Sequence, residues 1–411
     1  MNKKRKIGFP DAQGGRFLLY FASMKNIHEK VCLCALNRIF GFEPKIALAL
    51  ISHFGNASSV FALKPEDIDG ILGPHSKYRG CISQKALDES YAELERLRGQ
   101  GIGFVGWNEP GYPALLKECE DAPSGLYIRS AHPSEILWNS RKAIAVVGTR
   151  DLSPYGREWC ERLVGKLADV PEKDRPVIVS GLALGTDACA HRTALDVGLP
   201  TIAVMATGPD EVYPGRNMNL AGLMARTPGS ALVTDYPPGT APLAVHFLRR
   251  NRIIAGMSEA TVLIESKIKG GGMMTARLAD SYNREVFALP GRVDDLRSQG
   301  CNSLIRSKTA SPITSVEDFL KDIGLTAAKG ARRESDKDRL ERLYKGSIPD
   351  DRISLMTRIL LEIRSERGIT IDELAGKLDM EYHRTAQLTG MLETDGVITT
   401  DLLQRCFINF R

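Results

Sequence analysis

Residues 143–150 read Ala-Ile-Ala-Val-Val-Gly-Thr-Arg, and this stretch decides the fold. Five consecutive apolar residues leave a β-strand no polar face, which indicates a strand buried on both sides, as in a parallel sheet. The run ends in a glycine turn that carries an arginine. We therefore predict a buried strand followed by a βα turn, with Gly148, Thr149 and Arg150 at the carboxyl end of the strand.

Five further apolar runs of the same kind follow, most of them separated by helix-length segments: Val177–Val179, Thr201–Met205, Ala231–Val233, Thr261–Ile264 and Val286–Leu289. Strands that alternate with helices predict an α/β fold with a doubly wound, mostly parallel sheet. In such sheets, ligands bind beyond the carboxyl ends of the strands, near the point where the strand order reverses. The glycine turns after the strands are therefore predicted to line a site.

The segments on either side of this core have other patterns. Apolar residues recur at helical spacing between about residues 30 and 100, and the last sixty residues contain three helical runs and two short apolar strands, the plan of a winged helix. We predict five parts: residues 1–29, a basic, disordered tail; 30–130, a helical domain and a connector with a short strand; 131–325, the α/β core; 326–351, a charged and partly helical linker; and 352–411, a winged-helix domain. A signal peptide is the less favoured interpretation of the tail.

The composition limits the class of protein. A chain of 411 residues has room for two or three domains, and its net charge of +5 allows an anionic partner without requiring one. The eight cysteines are scattered and form no CxxC pair, so we expect no zinc or other cofactor and predict a reducing, cytoplasmic compartment. No apolar run is long enough to span a membrane, so no membrane partner is expected.

The core also contains a cluster of cations. Residues 249–256 read Arg-Arg-Asn-Arg-Ile-Ile-Ala-Gly, and we predict that the apolar residues pack while the three guanidinium groups face outward. Turns with exposed backbone N–H groups beside clustered arginines suit the oxygens of phosphate groups. The candidate residues of this anion site are Gly148, Thr149, Arg150, Ser180, Gly181, Gly185, Phe247, Arg249, Arg250, Asn251, Arg252, Lys269, Gly270, Gly271 and Gly272.

These motifs also have plainer interpretations. Residues 148–150 and 269–272 fit an ordinary tight turn and a flexible loop, although their positions beside a strand end and a helix start favour anion binding. Phe247 suits the core as well as it suits stacking on an unpaired base. For Tyr213, a tight loop and a ligand contact are equally favoured.

We predict no catalytic residue. Asp187 and His191 lie one helical turn apart, a spacing that suits acid–base chemistry. No nucleophile is evident beside them, so we expect Asp187 to cap the helix that follows and His191 to be structural. The sequence contains no GxxxxGK[ST] P-loop pattern, and the first strand of the core is followed by Gly148-Thr149-Arg150 and not by GxGxxG, which counts against nucleotide hydrolysis and hydride transfer.

Taken in order, the motifs resemble the DprA/Smf family of DNA-processing proteins. The most specific matches are Ser180–Asp187 with His191, Gly208–Pro214, Arg250–Gly256, and Pro290-Gly291 followed by Gly300–Ile305. The resemblance implies a Rossmann-like core, a SAM-like or helix-hairpin-helix N-terminal domain and a C-terminal winged helix.

The same resemblance implies a function. Its members are recombination mediators, not enzymes: they bind and protect incoming single-stranded DNA, load the RecA recombinase during natural transformation, and form homodimers through the core. Carried over by motif, Arg150 would contact phosphate and Phe247 would stack on a base. Residues 270–272 would lie along the strand, with Arg250 and Arg252 nearby.

The chain departs from the family pattern in three places. Ala244 stands where some relatives have a Lys three residues before the Phe, so one contact to the DNA backbone is absent or is supplied by Arg249. The turn at residues 41–44 lacks the GxG of a helix-hairpin-helix, which weakens a DNA-binding role for the N-terminal domain. Acidic residues flank the predicted recognition helix Tyr382–Leu392, so a protein-binding role for the winged helix is equally favoured.

Two other functions stay open at this point. Phosphoribohydrolases have related Rossmann-like folds, but their PGGxGTxxE loop ends in a Glu, whereas position 278 of this chain is Leu. A duplex-binding regulator that acts through the winged helix is the other alternative.

Overall fold

The computed structural model describes residues 28–73, 75–326, 336–344, 346–366 and 368–408. The predicted basic tail therefore lies outside the described residues, apart from His28 and Glu29, which are already helical.

A nine-stranded sheet forms the centre of the molecule. Its strands are β1 (Ile102–Gly106), β2 (Gly125–Ser130), β3 (Ala143–Val147), β4 (Val177–Ser180), β5 (Thr201–Val204), β6 (Ala231–Thr234), β7 (Ala260–Leu263), β8 (Glu285–Ala288) and β9 (Ser311–Pro312). They are arranged in the order β1-β2-β6-β5-β4-β3-β7-β8-β9. The pairs from β6 to β9 are parallel, and β1 and β2 add an antiparallel edge. The predicted α/β fold with a mostly parallel sheet is confirmed.

The strand order reverses at β3. Strands β4 to β6 extend the sheet on one side of β3, and β7 to β9 extend it on the other. The crevice between the loops that follow β3, β4 and β7 is therefore the place where such a sheet binds ligands.

Helices cover both faces of the parallel strands. They are α6 (Ala114–Lys117), α7 (Pro154–Leu167), α8 (Thr186–Asp196), α9 (Met218–Arg226), α10 (Ala244–Gly256), α11 (Gly271–Ser281), α12 (Gln299–Arg306) and α13 (Val316–Asp322), with 3₁₀ turns at Ser134–Ile136, Glu172–Asp174 and Gly215–Asn217. Ala145 and Val147 of β3 pack in one hydrophobic cluster with α10 and α11, whereas Ile144 and Val146 pack in another with α7 and α13. This division between two cores is what a continuous apolar strand requires.

A helical part precedes the sheet. It contains a helix over residues 28–40 (α1), then α2 (Pro44–Phe54), α3 (Ala57–Phe61), α4 (Pro65–Leu72) and α5 (Gln84–Arg98). This part has its own core, to which Phe104 and Tyr127 of the antiparallel edge contribute. The connector predicted between helices and core therefore holds two strands, which join the main sheet.

The C-terminal part is built around a separate apolar cluster. It consists of α14 (Asp336–Tyr344), α15 (Asp350–Ser365), α16 (Ile371–Leu378), α17 (Tyr382–Thr394) and the antiparallel hairpin of β10 (Ile398–Thr400) and β11 (Cys406–Ile408). Three helices and a hairpin match the predicted elements, and α14 is the helical portion of the predicted linker. Thr370 caps α16 in a reciprocal arrangement with Glu373. Winged helix remains our interpretation of this part, and the domain boundaries remain a proposal.

Candidate functional site

Three turns converge at the carboxyl edge of the sheet, and glycine makes their close approach possible. A Cβ on Gly148 would lie 2.5 Å from Thr186 Oγ1, and one on Gly272 would lie 3.2 Å from the Cα of Gly148. The turn after β3 is thus in contact with the first residues of both α8 and α11. Any larger residue at these two positions would force the turns apart.

The turn between β4 and α8 is hydrogen-bonded to the turn after β3. Thr186 donates to the carbonyl of Thr149 through its backbone N–H at 3.0 Å and through its hydroxyl at 3.1 Å. Gly185 precedes it at a φ of 75°, and a Cβ there would lie 2.3 Å from the same carbonyl oxygen. These contacts fix the backbone that presents Arg150.

Arg150 is an exposed cation at this edge. Its guanidinium lies 5.2 Å from the centre of the half-buried Phe247 ring, and the Tyr213 ring lies 5.5 Å from Phe247 in an edge-on arrangement. Tyr213 is 43% exposed, so the three side chains form an open surface, which we call the cation–aromatic cluster. Within the described chain, no carboxylate forms an ion pair with Arg150, so its charge is available to a ligand.

The loop after β7 brings further cations to the same edge. Lys267 and Lys269 are exposed, and neither is ion-paired to a carboxylate of the described residues. Gly270 precedes α11, whose first residues are Gly271, exposed, and Gly272, buried. Lys267 was not among the predicted site residues, although its place just after an apolar strand run was a sufficient signal.

Arg250 does not face outward as predicted; it is only 4% exposed. Its guanidinium donates to the carbonyl of Gly181 at 2.7 Å and to that of Val204. These carbonyls lie at the ends of β4 and β5, where neighbouring strands no longer supply N–H donors. Arg250 provides the missing hydrogen-bond donors. Burial lowers the pKa of Arg250 to about 10, with Asp187 acting in the opposite direction, so the side chain stays charged at neutral pH.

The outward orientation predicted for Arg252 is wrong as well. It forms a buried ion pair with Asp235 at the end of β6 and donates to the carbonyl of Asp121. Asn251 is buried, and its side-chain oxygen accepts a hydrogen bond from Arg250. Ser180 is completely buried, with its hydroxyl donating to the carbonyl of Val146 at 2.6 Å. The inner face of α10 packs against the sheet edge, and these polar groups pair there instead of meeting solvent.

Asp187 and His191 are structural, but Asp187 does not cap α8. Its carboxylate accepts from the N–H groups of Gly181 and Ala183, both at 3.2 Å, and so holds the loop that precedes the helix. His191 is fully buried, with Nδ1 2.7 Å from the Thr201 hydroxyl. Burial lowers the pKa of His191 to about 3, and Arg250 acts in the same direction. A neutral, enclosed imidazole has no route to a substrate.

Metal and membrane features are not found in the part of the chain that the structure describes. No group of three or more His, Cys, Asp or Glu side chains there is arranged to hold a metal ion. All eight cysteines are free thiols. None of the described helices is long and apolar enough to cross a bilayer.

Comparison with known proteins places the core in one family. The model of the family described as DNA recombination-mediator protein A matches residues 103–324. The DNA processing protein DprA of Bacillus subtilis is 35% identical over 249 residues, which cover 60% of this chain and 80% of the relative.

Two solved structures are also similar. The crystal structure of DprA from Streptococcus pneumoniae is 32% identical in sequence, with a TM-score of 0.57. The aligned region covers 70% of this chain and 95% of the Streptococcus pneumoniae chain. The DNA processing protein A of Helicobacter pylori, described for its single-stranded DNA binding mode, is 29% identical over 54% of this chain and 95% of its own, with a TM-score of 0.47.

Proposed function

Because the chain belongs to the family of DNA recombination-mediator protein A, we propose that it binds single-stranded DNA across the carboxyl edge of its sheet. The observation that carries this proposal is the cation–aromatic cluster. An exposed guanidinium, which no carboxylate of the described residues pairs with, lies over a half-exposed ring at the crevice where such sheets bind ligands. This combination offers a phosphate contact and a stacking surface in one place.

The geometry favours a single strand over a duplex. A base can stack on Phe247 or Tyr213 only when it is unpaired and unstacked from its neighbours. Lys267, Lys269 and the first N–H groups of α11 lie along the same edge and supply sequence-independent phosphate contacts. Ala244 offers no cation, and the half-buried Arg249 stands one and a half turns further along α10, so it does not simply replace a lysine there.

The partners of this complex follow from the resemblance. We propose that the protein protects incoming single strands, hands them to the RecA recombinase during natural transformation in the cytoplasm, and dimerises through its core. Faster displacement of a single-strand-binding protein by RecA in the presence of this chain would support the transfer to RecA. Sedimentation measurements across protein concentration would test dimerisation.

We propose that the protein acts by binding and not by catalysis. Leu278 on α11 stands where phosphoribohydrolases have their Glu, and Asp187 and His191 are enclosed by the fold. Release of free base from a nucleoside monophosphate, abolished by Arg150→Ala, would overturn this view.

Fluorescence anisotropy tests the central proposal. Labelled oligo-dT and a duplex of equal length are titrated with the wild-type chain at two salt concentrations. We expect tighter binding of the single strand, with an affinity that falls steeply as salt rises because phosphate contacts release counterions. Preference for the duplex, or binding that is insensitive to salt, would contradict the proposal.

A further inference from the structure

A second aromatic side chain lies beneath a guanidinium on the other flank of α10. Phe42, in the turn between α1 and α2, is 50% exposed, and the Arg249 guanidinium lies 4.6 Å from the centre of its ring. Arg249 also donates to the carbonyl of Gly41 at 3.0 Å. A Cβ on Gly41 would lie 2.8 Å from the carbonyl oxygen of Asn37, so the turn that presents Phe42 depends on glycine.

This pair has the same chemistry as Arg150 and Phe247. Among the described residues, no carboxylate forms an ion pair with Arg249. The nearby Glu43 carboxylate is instead bound by Lys77 at 2.6 Å. Both guanidinium groups thus remain cationic above an accessible ring, which is the arrangement that a base and its phosphate can use together.

An exposed face of α10 separates the two pairs. Successive helical residues are rotated by about 100°, so Phe247 and Arg249 project about 200° apart around the helix. Between them, Val245 is 48% exposed and Leu248 is 45% exposed, with Ala244 beside them. The two aromatic–cation pairs therefore flank an apolar, uncharged helix surface about 10 Å wide, roughly the diameter of a helix with its side chains.

We infer that Phe42 and Arg249 form a second base-stacking site for the single strand that Arg150 and Phe247 bind. The inference rests on the proposed function and extends it from the core to the helical N-terminal part. The strand leaves the sheet edge, crosses the apolar face of α10 and places a second base on Phe42. Charge complementarity supports a nucleic acid as the occupant, since both ends of the path are cationic.

The test compares variants of the full chain by anisotropy with oligo-dT of increasing length. Phe42→Ala should weaken binding of an oligonucleotide of about 12 residues by about five- to 150-fold, the range found when a stacking aromatic is truncated. Binding of a dinucleotide, which is too short to reach both pairs, should be unchanged. Phe42→Leu should lose as much affinity as Phe42→Ala, and Phe42→Tyr should keep wild-type affinity, because only an aromatic ring stacks.

Tyr91→Ala is the matched control, since Tyr91 is a 52% exposed aromatic residue on α5. Thermal unfolding of each variant identifies loss of structure. Wild-type affinity in Phe42→Ala, alongside weakened binding in Arg150→Ala, would overturn this inference while leaving the proposed function intact. A wild-type chain without preference for single strands would instead overturn the proposed function.

A second copy of the chain is the competing occupant of this apolar face. In that case Phe42→Leu would retain wild-type affinity, whereas Phe42→Ala would lose dimer mass in sedimentation together with binding. That result would also overturn the stacking role.

Discussion

At the scale of single residues, the arginines of α10 and the arginine of the β3 turn have different tasks. Arg250 and Arg252 are enclosed and pair with carbonyls and with Asp235. A charge taken out of water must find such partners. Arg150 is exposed, lies over the Phe247 ring and forms no ion pair with a carboxylate of the described residues. The buried arginines therefore stabilise the ends of the strands, and Arg150 is the residue that we assign to the ligand.

The buried ion pair gives a stability prediction. Arg252→Ala leaves Asp235 enclosed without its counter-charge, and we expect the free energy of unfolding in urea to fall by about 3–5 kcal/mol. Lys321→Ala is the control, because its partner Asp318 and Lys321 itself are both solvent-exposed, and it should leave the free energy unchanged. Equal effects from the two substitutions would mean that the Arg252–Asp235 pair is not buried.

His191 gives a prediction about pH. Its pKa is about 3 in the folded chain and 6.5 in the unfolded one. Below pH 6.5 the imidazole is therefore protonated in the unfolded state, whereas it stays neutral in the folded state. Stability from this group is therefore lost as pH falls from about 6.5 towards 3, by up to about 1.4 kcal/mol per pH unit.

Urea denaturation of the wild type and of His191→Asn between pH 7 and pH 4 measures this contribution. Asp187, whose pKa burial raises, contributes with the opposite sign in both proteins, so the difference between them isolates His191. We expect a shallower pH dependence in the variant. Parallel curves would contradict the buried, neutral imidazole.

At the scale of elements, the three turns at the sheet edge behave as one unit because glycines let them touch. Gly185→Ala adds a Cβ that would overlap the carbonyl of Thr149 at a positive φ, and we expect it to lower the free energy of unfolding by about 1–3 kcal/mol or more. Displacement of the turn that carries Arg150 should also weaken binding of oligo-dT.

Gly165→Ala is the control for this substitution. Gly165 lies within α7, and no atom of the described residues lies within 4 Å of an added Cβ, so Ala should raise stability by about 0.5–1 kcal/mol. A stability change of the same sign in both variants would contradict the turn geometry.

Elements also show where sequence patterns suffice and where they do not. All six apolar runs became strands β3 to β8, because a strand buried on both faces needs an unbroken apolar sequence. Strand β2, which lies between β1 and β6, was missed, because its pairing with β6 joins residues about one hundred positions apart and no local pattern indicates it.

The burial of Arg250 did have a local signal. It precedes Ile253 and Ile254 by three and four residues, which places it on the buried face of α10. The contact between Phe42 and Arg249 had none, since it joins residues about two hundred positions apart.

At the scale of the whole molecule, charge is divided unevenly. Residues 336–411 contain 14 acidic and 12 basic side chains, although the chain as a whole has a net charge of +5. The excess of cations therefore belongs to the preceding residues, and most of it to residues 1–27, which contain six basic side chains and one acidic side chain. This distribution gives the C-terminal part no electrostatic attraction of its own for phosphate, and the case for the core rests on the local placement of Arg150, Lys267 and Lys269 rather than on net charge.

The most direct test of the central claim is the affinity of an Arg150→Ala, Phe247→Ala double variant for oligo-dT, measured by fluorescence anisotropy beside the wild type. Arg226→Ala is the control, because Arg226 is an exposed arginine at the end of α9, at the opposite edge of the sheet. We expect the double variant to lose at least about tenfold in affinity and to depend less steeply on salt, because a stacked base and a phosphate contact are removed together. Wild-type affinity in a folded double variant would contradict the assignment of the carboxyl edge as the single-stranded DNA site.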